Sequence, residues 1–198
     1  MTEQGKKSIF NLPNTLSFFR IGCIPLIVGF LFFPRKTTSF LAALVFALAS
    51  ISDLLDGFVA RRHQLVTTFG QFLDPLADKL IVSAALIMLI PLDRVPAWMV
   101  VVIIGRELAI MGLRSVAGSE GKVITADHLG KQKMVLQTVA ILGLLLHYEY
   151  YGVNFHAVGM VFLWLAVIIT LWSGFNYFRN FWHVLEENDT DSAGNQGN

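Results

Sequence analysis

Long apolar runs constrain this chain more than any other feature of its sequence. Short polar segments separate six such runs, at about 16–34, 38–60, 72–92, 96–116, 131–148 and 156–179. A helix of about 20 apolar residues is long enough to cross the hydrocarbon core of a bilayer. The sequence therefore predicts an all-α, polytopic integral membrane protein with six transmembrane helices.

Composition supports this fold class and excludes several others. Hydrophobic residues make up 55% of the 198 residues and charged residues only 15%, against about 25% charged in typical soluble domains. A net charge of +1 excludes a generally basic nucleic-acid-binding protein, and the single Cys23 excludes an intramolecular disulfide. We expect one membrane-embedded domain over 1–185 and a polar, disordered cytoplasmic tail over 186–198. The segment Ile9–Phe19 is predicted to form a short interfacial element before the first span.

The distribution of Lys and Arg predicts the orientation of the spans. With both termini on one side, twelve of the fifteen basic residues lie on that side, and the other side has only Arg35, Lys36 and Arg94. Basic residues concentrate on the cytoplasmic side of membrane proteins. Because successive helices run in opposite directions, the charged ends of five spans lie at the cytoplasmic face. Arg20, at the start of the first span, is one of these charges. Several charges at one depth indicate a polar cavity that opens to the cytoplasm.

Four aspartates around the loop between the second and third spans form two helical stripes. Residues at helical spacing are Asp53, Asp56, Gly57 and Ala60 in the second span, and Gly70, Asp74 and Asp78 in the third. If these spans form a hairpin, four carboxylates face one another, and their repulsion favours protonation. A hard divalent cation removes this repulsion, and oxygen ligands alone favour Mg²⁺ or Mn²⁺. The spacing therefore predicts a metal site beside small residues that leave space for a bulky ligand.

Each of these motifs also has a purely structural interpretation. Asp56 and Gly57 are compatible with a turn that ends the second span, and Asp74 followed by Pro75 is typical of a helix N-cap. Small residues also allow neighbouring helices to pack closely. All these interpretations together require four separate coincidences on two stripes, so the sequence favours the metal site.

The same residues carry a resemblance to a known family. Along the chain they form the pattern Asp53-x2-Asp56-Gly57-x2-Ala60-Arg61-x8-Gly70-x3-Asp74-x3-Asp78. This pattern resembles the signature of the CDP-alcohol phosphotransferases, with every fixed position filled. Other segments that resemble the family are Asn11–Thr15 with Arg20, Gly105–Leu108 with Arg114, and Gly130–Lys133. The resemblance covers the chain up to about Arg179.

The resemblance implies an enzyme of the bacterial inner membrane, usually a homodimer, with an active site that faces the cytoplasm. It implies transfer of a phosphatidyl group from CDP-diacylglycerol to glycerol 3-phosphate, with release of CMP. Two Mg²⁺ or Mn²⁺ ions would lie on the aspartates, with Asp53 and Asp74 bridging, Asp56 on one ion and Asp78 on the other. Asp78 also matches the general base for the acceptor hydroxyl. Contacts to CDP-diacylglycerol are implied for Asn14, Thr15, Gly57, Ala60, Arg61 and Thr67.

Basic residues at neighbouring helix ends predict an anionic acceptor. Arg106, Arg114, Lys131 and Lys133 are candidates to bind the dianionic phosphate of the acceptor. Glu107 either orients Arg106 or forms an ordinary ion pair at a helix end. The residues themselves leave the identity of the acceptor open. Glycerol 3-phosphate follows from the resemblance, and inositol phosphate or phosphatidylglycerol are the alternatives.

An ion-coupled membrane transporter is the alternative from a different functional class. Carboxylates within a membrane also mark ion pathways. The charges of this chain, however, gather at one face, and the sequence has no visible internal repeat of the kind that many transporters carry. The sequence therefore favours the enzyme.

Overall fold

The computed structural model of the chain describes residues 12–63, 68–119 and 129–194. Within these residues the chain forms six α-helices and one two-stranded antiparallel hairpin. The helices are α1 (Leu12–Leu31), α2 (Lys36–His63), α3 (Thr68–Leu89), α4 (Ala97–Ser119), α5 (Leu129–Leu146) and α6 (Phe155–Gly194). The strands are β1 (Glu149–Tyr150) and β2 (Val153–Asn154). The architecture confirms the all-α prediction, and each helix contains most of one predicted apolar run.

The N-terminal part of α1 differs from the prediction. A separate interfacial element was expected over Ile9–Phe19, of which residues 9–11 lie outside the described part of the chain. From Leu12 onward the backbone is continuous with α1, so residues 12–19 do not form an element separate from the first helix. Pro13 is tolerated because it stands in the first helical turn, where its missing N–H has no partner within the helix.

The C-terminal part of α6 also differs from the expected disordered tail. α6 continues as a helix to Gly194, through the first nine residues of the segment that begins at Glu186. Neither Pro nor Gly occurs in 186–193. Extending an existing helix avoids the cost of nucleation, and a polar segment without helix breakers can therefore continue one.

The apolar core occupies one half of the helical bundle. Its members are fully buried and come from all six helices, for example Ile27, Phe46, Leu86, Ile103, Leu144 and Leu163. They lie in the second halves of α1, α3 and α5 and in the first halves of α2, α4 and α6. Two buried basic side chains, Arg20 and Lys133, lie in the opposite halves of α1 and α5. The bundle is therefore apolar towards one end and carries buried charge towards the other.

Arg94 closes the apolar end of the bundle. Its guanidinium is buried and donates hydrogen bonds to the carbonyl of Leu145 (3.0 Å) and to Ser39 Oγ (2.9 Å). Burial lowers the pKa of Arg94 from its ordinary value. Because the last carbonyls of a helix have no partner within the helix, Arg94 caps α5 and links it to α2.

The hairpin between α5 and α6 is a feature that the apolar pattern did not predict. Tyr151 and Gly152 connect the two strands, and both have positive φ values, 53° and 79°. Two consecutive positive φ values are typical of a type I′ turn, whose twist matches that of paired strands. Lys36 Nζ donates a hydrogen bond of 3.1 Å to the carbonyl of Glu149. The hairpin is therefore fastened to the start of α2.

The outer surface of the bundle is apolar. Every helix has large hydrophobic side chains that are more than a third exposed, for example Phe19, Leu48, Ile87, Val101, Val135 and Phe175. So many exposed large apolar side chains are typical of a surface that contacts lipid or another protein. Among the described residues, the part of α6 from Phe155 to Arg179 is the one helix long and apolar enough to cross a membrane.

Candidate active site

Asp74 lies well inside α3 and is held by α1. It is the seventh residue of the helix, and its side chain is 48% exposed. Arg20 forms an ion pair with Asp74 Oδ1, and Ser17 Oγ donates a hydrogen bond of 3.1 Å to the same oxygen. Arg20 is only 1% exposed, and such a buried charge is stable only when it is paired. The pair therefore neutralises Arg20 and fixes the direction of the Asp74 carboxylate.

The backbone excludes the turn and N-cap interpretations of the aspartate motifs. α2 continues through Asp56 and Gly57 as far as His63. α3 begins at Thr68, six residues before Asp74, and Pro75 lies inside the helix. Neither aspartate therefore stands at a helix end.

The donor set of these helices fits a hard divalent cation. Asp74 and Asp78 are one turn apart on α3 and both are partly exposed. Asp53 and Asp56 belong to α2, whose side chains are described only up to residue 52. Among the described side chains, no three His, Cys, Asp or Glu gather around one point. Carboxylate oxygens are the ligands that Mg²⁺ and Mn²⁺ prefer, and the four-aspartate site stays a prediction.

A cluster of charged residues from three helices lies close to Asp78; we call it the cationic cluster. Its centre is Glu107 of α4, which forms ion pairs through Oε2 with Lys79 of α3 and through Oε1 with Lys133 of α5. Arg106 Nη1 lies 3.4 Å from Glu107 Oε1. Three basic side chains thus share one carboxylate. Asp78 interacts electrostatically with Lys133, which brings a second carboxylate to the cluster.

The three basic side chains suit the cationic cluster to an anionic ligand. Lys133 is buried, and both Arg106 and Glu107 are 17% exposed. In a partly buried site, a positive charge interacts more strongly with an anion than it does in water. Arg106 also offers the planar N–H geometry that matches a phosphate.

α6 contributes to this cluster, and sequence reasoning did not predict it. Arg106 Nη2 donates a hydrogen bond of 2.6 Å to the buried Ser173 Oγ. A serine in a long apolar helix carries no signal of function, because small polar residues are ordinary at helix interfaces. Lys79 was also missed, although its place directly after Asp78 is a signal that pointed to it. Ser17 had no signal beyond its spacing of three residues from Arg20.

The remaining predicted site residues are only partly described. Arg114 lies in α4 and Lys131 in α5, and the described contacts do not include their side chains. The same holds for the donor residues Asn14 of α1 and Gly57, Ala60 and Arg61 of α2. Thr15 is exposed near the start of α1, whereas Thr67 lies outside the described residues.

Comparison with known proteins identifies the family. The model of the CDP-alcohol phosphatidyltransferase family matches residues 10–172. The chain belongs to this family. Members of the family generally depend on a divalent metal ion.

Similar family members come from several bacteria and carry one name, CDP-diacylglycerol–glycerol-3-phosphate 3-phosphatidyltransferase. The protein from Bacillus subtilis is 43% identical over 194 residues, which cover 90% of this chain and 98% of that protein. The protein from Rickettsia typhi is 38% identical and covers 85% of this chain and 96% of its own length. The protein from Haemophilus influenzae is 34% identical, with 86% and 92% covered.

Proposed function

We propose that this family member transfers the phosphatidyl group of CDP-diacylglycerol to glycerol 3-phosphate, giving phosphatidylglycerol phosphate and CMP. The observation that carries the proposal is the position of the cationic cluster next to Asp78 of the family signature. A neutral alcohol acceptor does not require three basic side chains around one carboxylate. An acceptor with a phosphate dianion does, because each charge-assisted contact both binds and orients it. The name shared by the relatives supports the same acceptor.

The four aspartates are proposed to hold the metal. Asp53, Asp56, Asp74 and Asp78 would supply the oxygen ligands of two Mg²⁺ or Mn²⁺ ions. When bound, such ions polarise the phosphorus under attack and stabilise the negative charge on departing CMP. Arg20 and Ser17 keep the Asp74 carboxylate in one direction before any ion binds.

The reaction is a direct displacement at phosphorus. A hydroxyl oxygen of the acceptor forms a bond to the phosphorus that carries the diacylglycerol, and the bond from that phosphorus to the oxygen of CMP breaks. Asp78 takes the proton of the attacking hydroxyl as general base. Most of the remaining work of the protein is positioning of two phosphate-bearing substrates.

Separate groups of residues are proposed to hold the two substrates. CDP-diacylglycerol contacts residues near the signature and at the start of α1, namely Asn14, Thr15, Gly57, Ala60, Arg61 and Thr67. The acceptor phosphate contacts Arg106, Arg114, Lys131 and Lys133. Arg106 and Lys133 already meet at Glu107, which supports a common ligand for these two.

We further propose that the six helices cross the bacterial inner membrane, with both termini and the active site on the cytoplasmic side, and that the protein is a homodimer. Exposed apolar side chains on every helix support immersion in lipid. Membrane lipids then surround the bundle, and the diacylglycerol chains of the donor remain in the bilayer while its CDP group enters the cavity.

Release of CMP by the purified protein tests this function. The protein in detergent is given CDP-diacylglycerol with glycerol 3-phosphate, inositol phosphate, phosphatidylglycerol or free glycerol, and CMP is measured. We expect rapid release only with glycerol 3-phosphate, and slow release with glycerol, which lacks the phosphate. Release that is faster with inositol phosphate or phosphatidylglycerol would assign the protein to another reaction of the family. No release with any acceptor would favour a different class, such as a transporter.

A further inference from the structure

The side chain of Arg106 is held by α6, a helix that carries none of the signature residues. Ser173 Oγ accepts the 2.6 Å hydrogen bond from Arg106 Nη2. The next residue, Gly174, lies against the aliphatic part of the same side chain, because a Cβ at Gly174 would come within 3.2 Å of Arg106 Cγ. Two consecutive residues of α6 therefore contact both the guanidinium and the stem of Arg106.

Ser173 and Glu107 hold Arg106 in chemically different ways. The hydroxyl of Ser173 is neutral, so its hydrogen bond fixes one nitrogen without cancelling the positive charge. Glu107 is a carboxylate, but its oxygens also pair with Lys79 and Lys133, and it lies 3.4 Å from Arg106 Nη1. A guanidinium has five N–H groups. One of them is taken by Ser173.

We propose that Ser173, with Gly174 beside it, is a positioning residue for Arg106 and, through Arg106, for the phosphate monoester of the acceptor. The proposal rests on the proposed function, in which Arg106 binds that phosphate. Ser173 itself does not touch the substrate. A guanidinium that is already oriented loses less conformational freedom when it forms two parallel hydrogen bonds to phosphate, so the bound state is favoured.

Replacing Ser173 by Ala removes the hydrogen bond and leaves Arg106 in place. We expect the KM for glycerol 3-phosphate to rise about ten- to a hundredfold, as for loss of a hydrogen bond to a charged group. The KM for CDP-diacylglycerol should stay within about twofold, because the donor contacts other residues. Ser173→Thr keeps the hydroxyl and should restore most of the affinity.

Thr170→Val is the matched control. Thr170 is buried in α6 one turn before Ser173, and its hydroxyl has no hydrogen-bond partner among the described residues. Valine has nearly the same shape, so this variant changes the polarity of α6 without changing the hold on Arg106. Both KM values should match those of the wild type.

A double-mutant cycle separates positioning from a general packing defect. If Ser173 acts through Arg106, Ser173→Ala should have no further effect on the KM for glycerol 3-phosphate once Arg106 is replaced by Ala. A packing defect would add to the effect of Arg106→Ala. An additive result in the cycle would overturn the proposal. Gly174→Ala provides a second perturbation, since its Cβ displaces the Arg106 stem, and a smaller rise in the same KM is expected.

Direct binding distinguishes this proposal from the proposed function. Titration calorimetry with glycerol 3-phosphate, on the full chain in detergent and without donor, gives a Kd for each variant. We expect a weaker Kd for Ser173→Ala than for Thr170→Val. Equal values would overturn the role of Ser173 even in an active enzyme. A wild-type protein that binds glycerol 3-phosphate but releases no CMP would refute the proposed function, and the Kd comparison would still decide the role of Ser173. A wild-type protein that neither binds glycerol 3-phosphate nor releases CMP would overturn both the proposed function and the role of Ser173.

Discussion

The crossing of α5 and α6 leaves no space for a side chain at Gly143. A Cβ at this position would lie 2.8 Å from the Cα of Gly159 and 3.0 Å from the carbonyl oxygen of Phe155. The prediction is that Gly143→Ala destabilises the protein. Because both obstructing atoms belong to the backbone of α6, no side-chain rotation relieves the contact. The helices themselves must move.

The expected magnitude follows from these distances. Ordinary carbon–carbon contacts are about 3.5–4.0 Å, so the two backbones must separate by about 0.7–1.2 Å. Inserting one methyl group into a packed interface typically costs about 1–3 kcal/mol. Alanine recovers about 0.8–1.0 kcal/mol of helix propensity relative to glycine. Because the obstructing atoms are backbone atoms, the cost of the methyl group falls at the upper end of its range. After the gain in helix propensity is subtracted, we expect Gly143→Ala to lose about 1–2 kcal/mol of stability.

Gly22→Ala is the control for helix propensity. Gly22 lies inside α1, and a Cβ there would meet nothing within 4 Å. This variant should be as stable as the wild type or up to about 1 kcal/mol more stable. The difference between the two variants is therefore about 1–3 kcal/mol, which corresponds to roughly 2–12 °C in Tm for a chain of this size.

Thermal unfolding in one detergent, followed by circular dichroism, measures this difference. Both variants are compared with the wild type at equal protein and detergent concentrations. If Gly143→Ala unfolds at the same temperature as Gly22→Ala, the close crossing of α5 and α6 does not exist in the folded protein. Gly159→Ala provides an independent check, because its Cβ would lie 2.7 Å from the backbone nitrogen of Leu144.

Three further predictions concern the metal, the general base and pH. Excess EDTA should abolish CMP release, and Mg²⁺ or Mn²⁺ should restore it. Ca²⁺ should be a poor substitute because it prefers a looser coordination geometry. Full activity in excess chelator would refute the metal site. Asp78→Asn should lower kcat by about 10²–10⁴ at any Mg²⁺ concentration, whereas high Mg²⁺ should partly rescue Asp56→Asn. Equal rescue of both would make Asp78 chiefly a ligand. Burial, together with Arg94 and then His156, lowers the pKa of His147 below its ordinary 6.5. As the pH falls, His147 is therefore protonated in the unfolded chain before it is protonated in the folded protein. The stability of the folded protein should fall as the pH drops through 6.5. His147→Asn tolerates the positive φ of 57° at this position and should reduce this loss in thermal unfolding; an unchanged pH dependence would exclude His147 as its source.

The helices and the signature aspartates were predictable because their signals are local. The length of an apolar run indicates a helix whatever lies beside it, and the spacing of Asp53, Asp56, Asp74 and Asp78 indicates helical stripes from four positions alone. Two departures, at the start of α1 and the end of α6, concern segments without a strong apolar pattern. At both places the chain lengthens a helix that already exists, because extension avoids the cost of nucleation.

The partners of the charged residues were not predictable, because they depend on which helices meet. Arg20 and Asp74 are 54 residues apart, and Arg106 and Ser173 are 67 apart. Nothing in the spacing along the chain specifies that a residue of α1 pairs with Asp74 or that a residue of α6 holds Arg106. The sequence by itself determined the helical class, the aspartate pattern and a surplus of basic residues near it. Only the packing of the helices decided which carboxylate each cation meets, because a buried charge takes whichever partner the tertiary structure brings within reach.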